Sequence, residues 1–313
     1  FVDDDRTAWK TVINGVSVSS PENLRQLVLK NRCRDIFLAM PSIDRIERRR
    51  IIDRLKSLPV TVRTVPSLAE LIDGTASLDD VRPIAIEDLL GRDVVAPRQE
   101  LLDQCIRDKV VLVSGAGGSI GLELCRQILQ LAPNALILLE SSEPSLYALE
   151  QELRQQLPAS VELLPVLGSA ADPALVQRLF VGHGVQTVFH AAAYKHVPLV
   201  EANPLAGLAN NVGSTRVVCQ AAVATGVSEL VLISTDKAVR PTNVMGASKR
   251  LAELVLQASA LELSQSAKAK GAGQPRTRLA MVRFGNVLDS SGSVVPLFRK
   301  QITAGGPITL THP

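Results

Sequence analysis

Residues 110–124 read VVLVSGAGGSIGLEL, and this stretch decides the fold. The apolar run VVLVS predicts a buried strand, and the amphipathic residues that follow Gly121 predict a helix. Between them, the spacing of Gly115, Gly118 and Gly121 suits a tight turn through which the backbone can approach a pyrophosphate. The helix N-terminus would direct N–H groups and a positive dipole end at that anion. We therefore predict a dinucleotide-binding turn, the alternative being a purely structural glycine turn.

The next apolar run, ALILLE, ends at Glu140, about 20 residues beyond the last glycine of the turn. An acid at this place can accept hydrogen bonds from the adenosine ribose hydroxyls. Ser141 and Ser142 follow it, so a 2′-phosphate would meet a carboxylate with no cationic partner. The sequence thus favours NAD over NADP. The alternative is that Glu140 is only a surface acid at a strand end.

Near-continuous apolar runs of strand length continue on both sides of this point. They occupy residues 110–115, 135–140, 161–168, 187–193 and 230–235. Strands of this kind are buried on both faces, and helix-like segments such as 121–131 and 214–225 lie between them. The predicted class for residues 109–313 is therefore α/β, a doubly wound parallel sheet of the Rossmann-like, NAD-binding kind. Residues 264–276, rich in Gly and Ala, are predicted to form a flexible surface loop.

Residues 1–92 also alternate between helix-like and strand-like segments. The helical segments are 21–30 and 43–56, and the strand segments are 35–39 and 60–64. Such alternation predicts a second, partial Rossmann-like α/β domain. Residues 93–108 are predicted to form a linker and a short helix between the two domains.

Composition limits the classes of partner. Hydrophobic residues make up 46% of the chain and aromatic residues only 3%, so the core is expected to be aliphatic. The net charge of +3, from 34 basic and 31 acidic residues, provides no electrostatic basis for a nucleic-acid or membrane-surface partner. The four cysteines form no CxxC pair, which favours a reducing compartment and no metal site. They are Cys33, Cys105, Cys125 and Cys219.

The two ends of the sequence suggest a longer protein. The chain starts at Phe1 without a Met and stops at Pro313, directly after the strand-like ITLT. We expect it to be a fragment cut at both ends. No apolar run reaches the roughly 18 residues needed to span a bilayer.

Polar side chains follow the fifth apolar run of the predicted sheet. LVLIST leads directly into Asp236 and Lys237, and ligands of open α/β sheets bind beyond the carboxyl ends of the strands. Thr235, the last residue of the run, should lie at the same edge. Met245 and Lys249 follow at a spacing of i, i+4 on the next predicted helix, and so share one face.

These motifs resemble a known family. STDKA, NVMGASKR and VRFGNVL are similar to the extended short-chain dehydrogenase/reductases, and HAAAYKHVPLVE narrows the likeness to the CapD-like polysaccharide biosynthesis proteins, the nucleotide-sugar 4,6-dehydratases. INGVSV, IFLAMPS, RTVPSLAELIDG and IEDLLGRD extend the resemblance over nearly the whole chain. The family's YxxxK motif appears here as MxxxK, so Met245 occupies the tyrosine position. A thioether cannot take up a proton. The departure resembles the membrane-linked branch, which acts on UDP-N-acetylglucosamine.

The resemblance implies a role for each residue at the catalytic end. Thr235 would orient the oxygen on carbon 4 of the sugar, Asp236 would transfer protons at the hydroxyls, and Lys237 would remove the proton from carbon 5. Lys249 would bind the nicotinamide ribose beside Met245. Lys237 can be such a base only as a neutral amine, which requires desolvation or the nearness of Lys249. The alternative is that Asp236 and Lys237 merely pair and cap the strand.

The resemblance also implies substrate and cofactor contacts. The substrate would be contacted by Tyr194, Lys195, His196 and Asn286. Met281 and Phe284 are expected in the core, and Ser169 and Ser214 depart from the family's usual residues. The predicted cofactor-binding residues are Gly115, Gly118, Ser119, Ile120, Gly121, Glu140, Ala191, Ala192, Ala193, Asn211 and Lys249.

The implied function is a nucleotide-sugar 4,6-dehydratase that reduces NAD transiently and uses a UDP-sugar, with UDP-N-acetylglucosamine expected. A nucleotide-sugar epimerase and a non-catalytic NAD-binding module are the alternatives. The family further implies a homo-oligomer and a cytoplasmic portion anchored to a bacterial inner membrane by upstream helices. Part of the sugar-nucleotide pocket would follow the RFGNV strand in a C-terminal subdomain, here truncated. We therefore expect NAD binding with little dehydratase activity.

Overall fold

The structure is a computed structural model that divides into two compact units, Phe1–Ala96 and Pro97–Pro313. The division falls within the segment 93–108 that the sequence predicts as a connection. The residues that the structure describes are 1–40, 43, 45–55, 58–65, 82–83, 95, 97–269, 276–287, 290 and 294–310.

The first unit contains a short hairpin and a small mixed sheet. Strands β3 and β4 pair in parallel and are connected by helix α2, so that helix and strands alternate along this part of the chain as the sequence predicts. Strand β5 pairs with β4 in the antiparallel sense. Much of RTVPSLAELIDG and IEDLLGRD lies outside the described residues. The elements are β1 Val12–Ile13, β2 Val16–Ser17, α1 Leu24–Asn31, β3 Asp35–Leu38, α2 Arg45–Leu55, β4 Thr61–Thr64 and β5 Arg82–Pro83.

The second unit is built on a six-stranded sheet in which every pairing is parallel, in the order β11-β10-β9-β6-β7-β8. This confirms the doubly wound parallel sheet. The strands are β6 Val110–Ser114, β7 Ala135–Glu140, β8 Glu162–Leu167, β9 Thr187–His190, β10 Glu229–Thr235 and β11 Arg278–Phe284. The helices are α3 Gln99–Ile106, α4 Ser119–Gln130, α5 Glu143–Arg154, α6 Pro173–His183, α7 Val197–Ala202, α8 Pro204–Leu208, α9 Ser214–Thr225, α10 Val244–Ala269 and α11 Val294–Thr303.

The strand order places the ligand crevice. The chain winds outward through β7 and β8 on one side of β6 and through β9, β10 and β11 on the other. The order therefore reverses between β6 and β9, and open sheets bind ligands outside the carboxyl ends of the strands at such a point. The glycine turn leaves β6 at this end, and the AAAYKH segment leaves β9 beside it.

The core explains the continuous apolar runs. Along β6, Leu112 packs into a cluster on one face of the sheet, whereas Val111 and Val113 pack into a cluster on the other. Ile137 and Leu136 of β7 divide in the same way. Each such side chain, once fully buried, stabilises the fold by about 1.5–3 kcal/mol. Two packed layers thus hold the crevice residues on a rigid frame.

One sequence prediction is corrected by helix α10, which continues to Ala269. Residues 264–269 are helical rather than part of a flexible loop, because Ala and Lys are good helix formers and the glycines of this segment come later. Residues 270–275 lie outside the described part of the chain. None of the described helices combines the length and the apolar character needed to cross a membrane.

Candidate active site

The glycine turn after β6 requires glycine for two different reasons. Gly115 has a φ of +68°, in the left-handed region, and a Cβ there would lie 2.6 Å from Cα of Ala192. At Gly121 a Cβ would lie 2.1 Å from the carbonyl oxygen of Gly115. Gly118 is the residue before α4 and provides no side-chain cap for that helix. The turn is therefore packed too tightly for a side chain at Gly115 or at Gly121, and it presents its backbone to the crevice.

Glu140 is held against this turn and is not a surface acid. The side chain is only 9% exposed, and its carboxylate accepts hydrogen bonds from the backbone N–H of Gly117 at 3.0 Å, of Ser141 at 2.8 Å and of Ser142 at 2.9 Å. Gly117 was not singled out from the sequence. Its signal was its position one residue before Gly118, where a Cβ would lie 2.6 Å from that of Ser145.

Asn211 lies beneath the crevice, which corrects its prediction as a direct cofactor contact. It is 1% exposed, its Oδ1 accepts from the backbone N–H of Tyr194 at 2.7 Å, and its Nδ2 donates to the carbonyl of Tyr194 at 3.1 Å and to Oγ of Ser248 at 2.9 Å. Asn211 therefore joins the loop after β9 to helix α10. The oxygen and the nitrogen of its amide are fully used by protein groups.

At the end of β10, Thr235, Asp236 and Lys237 form one hydrogen-bonded group. Thr235 Oγ1 donates to Asp236 Oδ1 at 3.0 Å, and Lys237 Nζ donates to the same oxygen at 3.2 Å and to Asn286 Oδ1 at 3.1 Å. Burial by itself would raise the pKa of Asp236, but the hydrogen bonds from Lys237 and Thr235 lower it below its usual value. Asp236 is therefore a carboxylate at neutral pH.

Two expectations about this group are corrected. Thr235 and Lys237 line the main cavity, but Asp236 does not, and its side chain is 52% exposed. Lys237 is 41% exposed and paired with Asp236, so the desolvation on which its expected role depends is not present in the unliganded cavity. Both residues lie in the 3₁₀ turn Asp236–Ala238, which begins directly after the strand.

On α10, Met245 and Lys249 lie side by side as predicted, and both are buried and line the cavity. Lys249 Nζ donates to the carbonyl of Ile233 at 2.7 Å. Burial lowers the pKa of Lys249 to about 8, although the charge of Glu253 acts in the opposite direction. The amine with a lowered pKa at this end of the cavity is thus that of Lys249. Met245, one turn before it on the helix, has no proton to exchange.

A single cavity of about 1040 Å³ joins these groups. It runs from the glycine turn and Glu140, past the segment Ala191–His196, to the ends of β10 and β11. Burial lowers the pKa of Lys195, which lies on its wall. The predicted residues that line it are Gly115, Gly118, Ser119, Ile120, Gly121, Glu140, Ala191, Ala192, Ala193, Tyr194, Lys195, His196, Thr235, Lys237, Met245, Lys249 and Asn286.

Other lining residues were missed or assigned differently. Phe284, expected in the core, lies on the cavity wall, whereas Met281 packs against the core as expected. Ser145 also lines the cavity and carried no motif of its own, whereas Ser234, which lines it too, belongs to the LVLIST run that leads into the predicted site. Ser214, a departure from the family pattern, has Oγ at 3.3 Å from Nε2 of the buried His190, which gives this serine a structural explanation.

Comparison with known proteins identifies one family model and several relatives that are similar to the chain. A family model described as polysaccharide biosynthesis protein matches residues 111–313. The capsular polysaccharide biosynthesis protein CapD of Staphylococcus aureus is 39% identical over the whole chain, which spans 51% of that protein's length. A UDP-glucose 4-epimerase of Rickettsia canadensis is 33% identical over 66% of the chain and 57% of its own length. The chain thus spans about half the length of these relatives.

Solved structures share the fold. Pen from Bacillus thuringiensis is 33% identical with a TM-score of 0.59, over 66% of this chain and 61% of its own. A double mutant of DesIV, a dTDP-glucose 4,6-dehydratase from Streptomyces venezuelae with NAD and DAU bound, has a TM-score of 0.50 at 24% identity, over 64% of each chain. At that identity the likeness of DesIV concerns the fold alone.

Proposed function

The chain belongs to the polysaccharide biosynthesis protein family, and from that premise we propose that it is an NAD-dependent nucleotide-sugar 4,6-dehydratase acting on UDP-N-acetylglucosamine. One observation carries the proposal. The same cavity is lined by the glycine turn with Glu140 and by Thr235, Lys237 and Lys249. A dinucleotide on the turn and a sugar at the other end would therefore lie in one continuous cavity.

The preference for NAD rests on Glu140. Its carboxylate lies on the cavity wall beside the turn, followed by two serines rather than a cation. It would accept hydrogen bonds from ribose hydroxyls and repel a 2′-phosphate. NAD is also the dinucleotide bound to the DesIV variant with the same fold.

The residues at the catalytic end would each handle a proton or an oxygen. Bound NAD supplies a hydride acceptor at sugar carbon 4 and the matching donor at carbon 6, so that it is regenerated in each turnover. Thr235 would accept the proton of the hydroxyl on carbon 4 and pass its own to Asp236, because Thr235 Oγ1 already donates to that carboxylate. Asp236 would therefore act through Thr235, since it does not line the cavity.

Lys237 would be the base for the elimination across carbons 5 and 6. The ketone on carbon 4 acidifies the proton on carbon 5, and Lys237 would remove it. The hydroxyl on carbon 6 would leave as water with the proton that Asp236 took up in the first step, returned through Thr235. The amine must be neutral for this step, and a sugar that fills the cavity would displace the water that now reaches Lys237. Lys249 would hold the nicotinamide ribose, consistent with its buried position beside Met245.

A nucleotide-sugar epimerase is the second candidate, favoured by the 33% identity to a UDP-glucose 4-epimerase. It would use the same hydride step without elimination. Against it, Met245 replaces the tyrosine that such enzymes usually keep.

Because the chain spans about half the length of its relatives, the test uses the full-length protein. Incubation of that protein with NAD and UDP-N-acetylglucosamine, followed by mass spectrometry and NMR of the sugar nucleotide, distinguishes the candidates. We expect a 4-keto-6-deoxy product that has lost one water. An isobaric epimer would establish the alternative, and unchanged substrate together with measurable NAD binding would indicate a non-catalytic module.

A further inference from the structure

A buried carboxylate outside the cavity joins three elements of the site. Glu253 on α10 has a side chain that is 0% exposed. It accepts hydrogen bonds from Ser234 Oγ at 2.7 Å, from Arg283 Nε at 2.8 Å and Nη2 at 2.7 Å, and from Arg250 Nη1 at 2.9 Å. Ser234 belongs to β10 and Arg283 to β11, so one side chain bonds both strands to the helix.

Each of the bonded residues is within three positions of a site residue in sequence. Ser234 precedes Thr235, and Arg283 lies three residues before Asn286. Glu253 itself lies four residues after Lys249 and therefore on the same face of α10. The hydrogen bonds of Glu253 thus join side chains of the three elements that carry the catalytic end of the cavity.

The arrangement is costly for a group that only stabilises the fold. A buried carboxylate loses its hydration, and a buried ion pair is often no more stable than apolar residues of similar volume. Burial would raise the pKa of Glu253, but the hydrogen bonds from Arg283, Ser234 and Arg250 hold it at about 2. The carboxylate is therefore charged at every pH at which the protein would work.

We propose that Glu253 is a positioning residue of the active site, which fixes Thr235, Lys249 and Asn286 relative to one another by bonding β10 and β11 to α10. The activity part of this proposal rests on the proposed function, whereas its structural and electrostatic parts do not.

The electrostatic part concerns Lys249. Burial disfavours the protonated form of its amine, and the charge of Glu253 on the same helix favours that form. From β9 it faces His190, whose burial lowers its pKa to about 3, so that this imidazole is neutral. Lys237, on the turn after β10, lines the same cavity, and Arg283 of β11 pairs with Glu253. Removing the charge of Glu253 should therefore lower the pKa of Lys249 below about 8.

Glu253→Gln tests the proposal, because it keeps the volume and one acceptor oxygen while removing the charge. We expect kcat to fall about 10- to 100-fold with little change in KM, since small misplacements at a reacting centre have effects of that size. NMR titration of ¹³C-labelled lysines, with the Lys249 signal assigned from Lys249→Arg, should show the Lys249 midpoint shifted to lower pH. Glu152→Gln is the matched control.

Glu152 also binds one arginine, Arg126, through two hydrogen bonds, and it does not line the cavity. We expect the control to keep both turnover and the Lys249 midpoint. Should Glu253→Gln fail to fold, Ser234→Ala removes only the bond to β10 and should lower kcat by a smaller factor.

The proposal is overturned if the folded Glu253→Gln protein matches the control in kcat and in the Lys249 midpoint, or if Ser234→Ala in its place leaves kcat unchanged. If the wild-type protein makes no product, the proposed function fails, and the titration alone decides whether Glu253 acts on Lys249. An unshifted midpoint would then overturn the inference.

Discussion

At the scale of single residues, Glu140 combines two tasks that a substitution can separate. Its carboxylate accepts three backbone hydrogen bonds and also places a negative charge on the cavity wall. Glu140→Gln keeps an acceptor oxygen but removes the charge. Selectivity should respond more than affinity for NAD.

We expect Glu140→Gln to reduce the preference for NAD over NADP by about tenfold. A tenfold change corresponds to a modest part of the interaction energy of roughly 4 kcal/mol between two unit charges 4 Å apart near a protein surface. Calorimetric titration with both dinucleotides measures it, and Glu143→Gln, an exposed acid in the first turn of α5, serves as the control. Tighter binding of NADP than of NAD by the wild-type protein would refute the assignment.

In the proposed reaction Lys237 acts on the sugar directly and Asp236 acts through Thr235, and we expect turnover to depend on both. Asp236→Asn and Lys237→Met should each lower turnover by at least about 100-fold, the usual scale of general acid–base catalysis. Solvent deuterium exchange at carbon 5 should disappear in the Lys237 variant. Lys268→Met, an exposed lysine near the end of α10, should change neither quantity. Normal exchange in Lys237→Met would show that another group is the base.

At the scale of elements, the glycine turn and helix α4 form a unit that has no space for one more methyl group. A Cβ at Gly121 would lie 2.1 Å from a backbone oxygen that cannot move independently of β6. We expect Gly121→Ala to weaken NAD binding by more than tenfold and to destabilise the second unit by about 1–3 kcal/mol, as overpacking does.

Gly182→Ala is the matched control, because nothing lies within 4 Å of its Cβ position on α6. Alanine is the better helix former by about 1 kcal/mol, so this variant should be as stable as the wild type or more so. Denaturant unfolding and calorimetry with NAD compare the two. Equal NAD affinity in both variants would mean that the turn is not the dinucleotide site.

Five strands of the second unit were predictable because each is an apolar run flanked by turn residues, whereas β11 contains Arg278 and Arg283 and forms no such run. Helix α9 begins and ends where its pattern does, at Ser214 and Thr225. The end of α10 was not predictable, since its small residues gave the composition of a loop. Which residues share the carboxyl edge of the sheet followed from topology. Their partners did not, because the bond from Lys237 to Asn286 joins residues 49 apart through the register of β10 and β11.

At the scale of the whole molecule, the buried charge of Glu253 links stability to pH. Its pKa is about 2 in the folded protein against 4.5 for the free group, so its contribution is complete above pH 4.5 and is lost as the pH falls towards 2. The contribution is on the order of 3 kcal/mol.

Urea unfolding at several pH values tests this linkage. Between pH 4.5 and 2 the unfolding free energy of the wild-type protein should fall more steeply than that of Glu253→Gln. Parallel curves for the two proteins would show that the carboxylate is not held in its charged form by its arginines.

The contact between Gly115 and Ala192 has a consequence for how two ligands would influence each other. No side chain separates the glycine turn from the start of the loop that leads to Tyr194, and Asn211 ties that loop to α10. A ligand that orders one of these segments therefore orders the other, and the loss of conformational entropy is incurred once rather than twice. Binding should then be cooperative. By thermodynamic reciprocity, the sugar nucleotide would raise the affinity for the dinucleotide by the same factor by which the dinucleotide raises the affinity for the sugar nucleotide. The cofactor would be retained most firmly while the sugar is present, which is when a reaction that returns its hydride needs it in place.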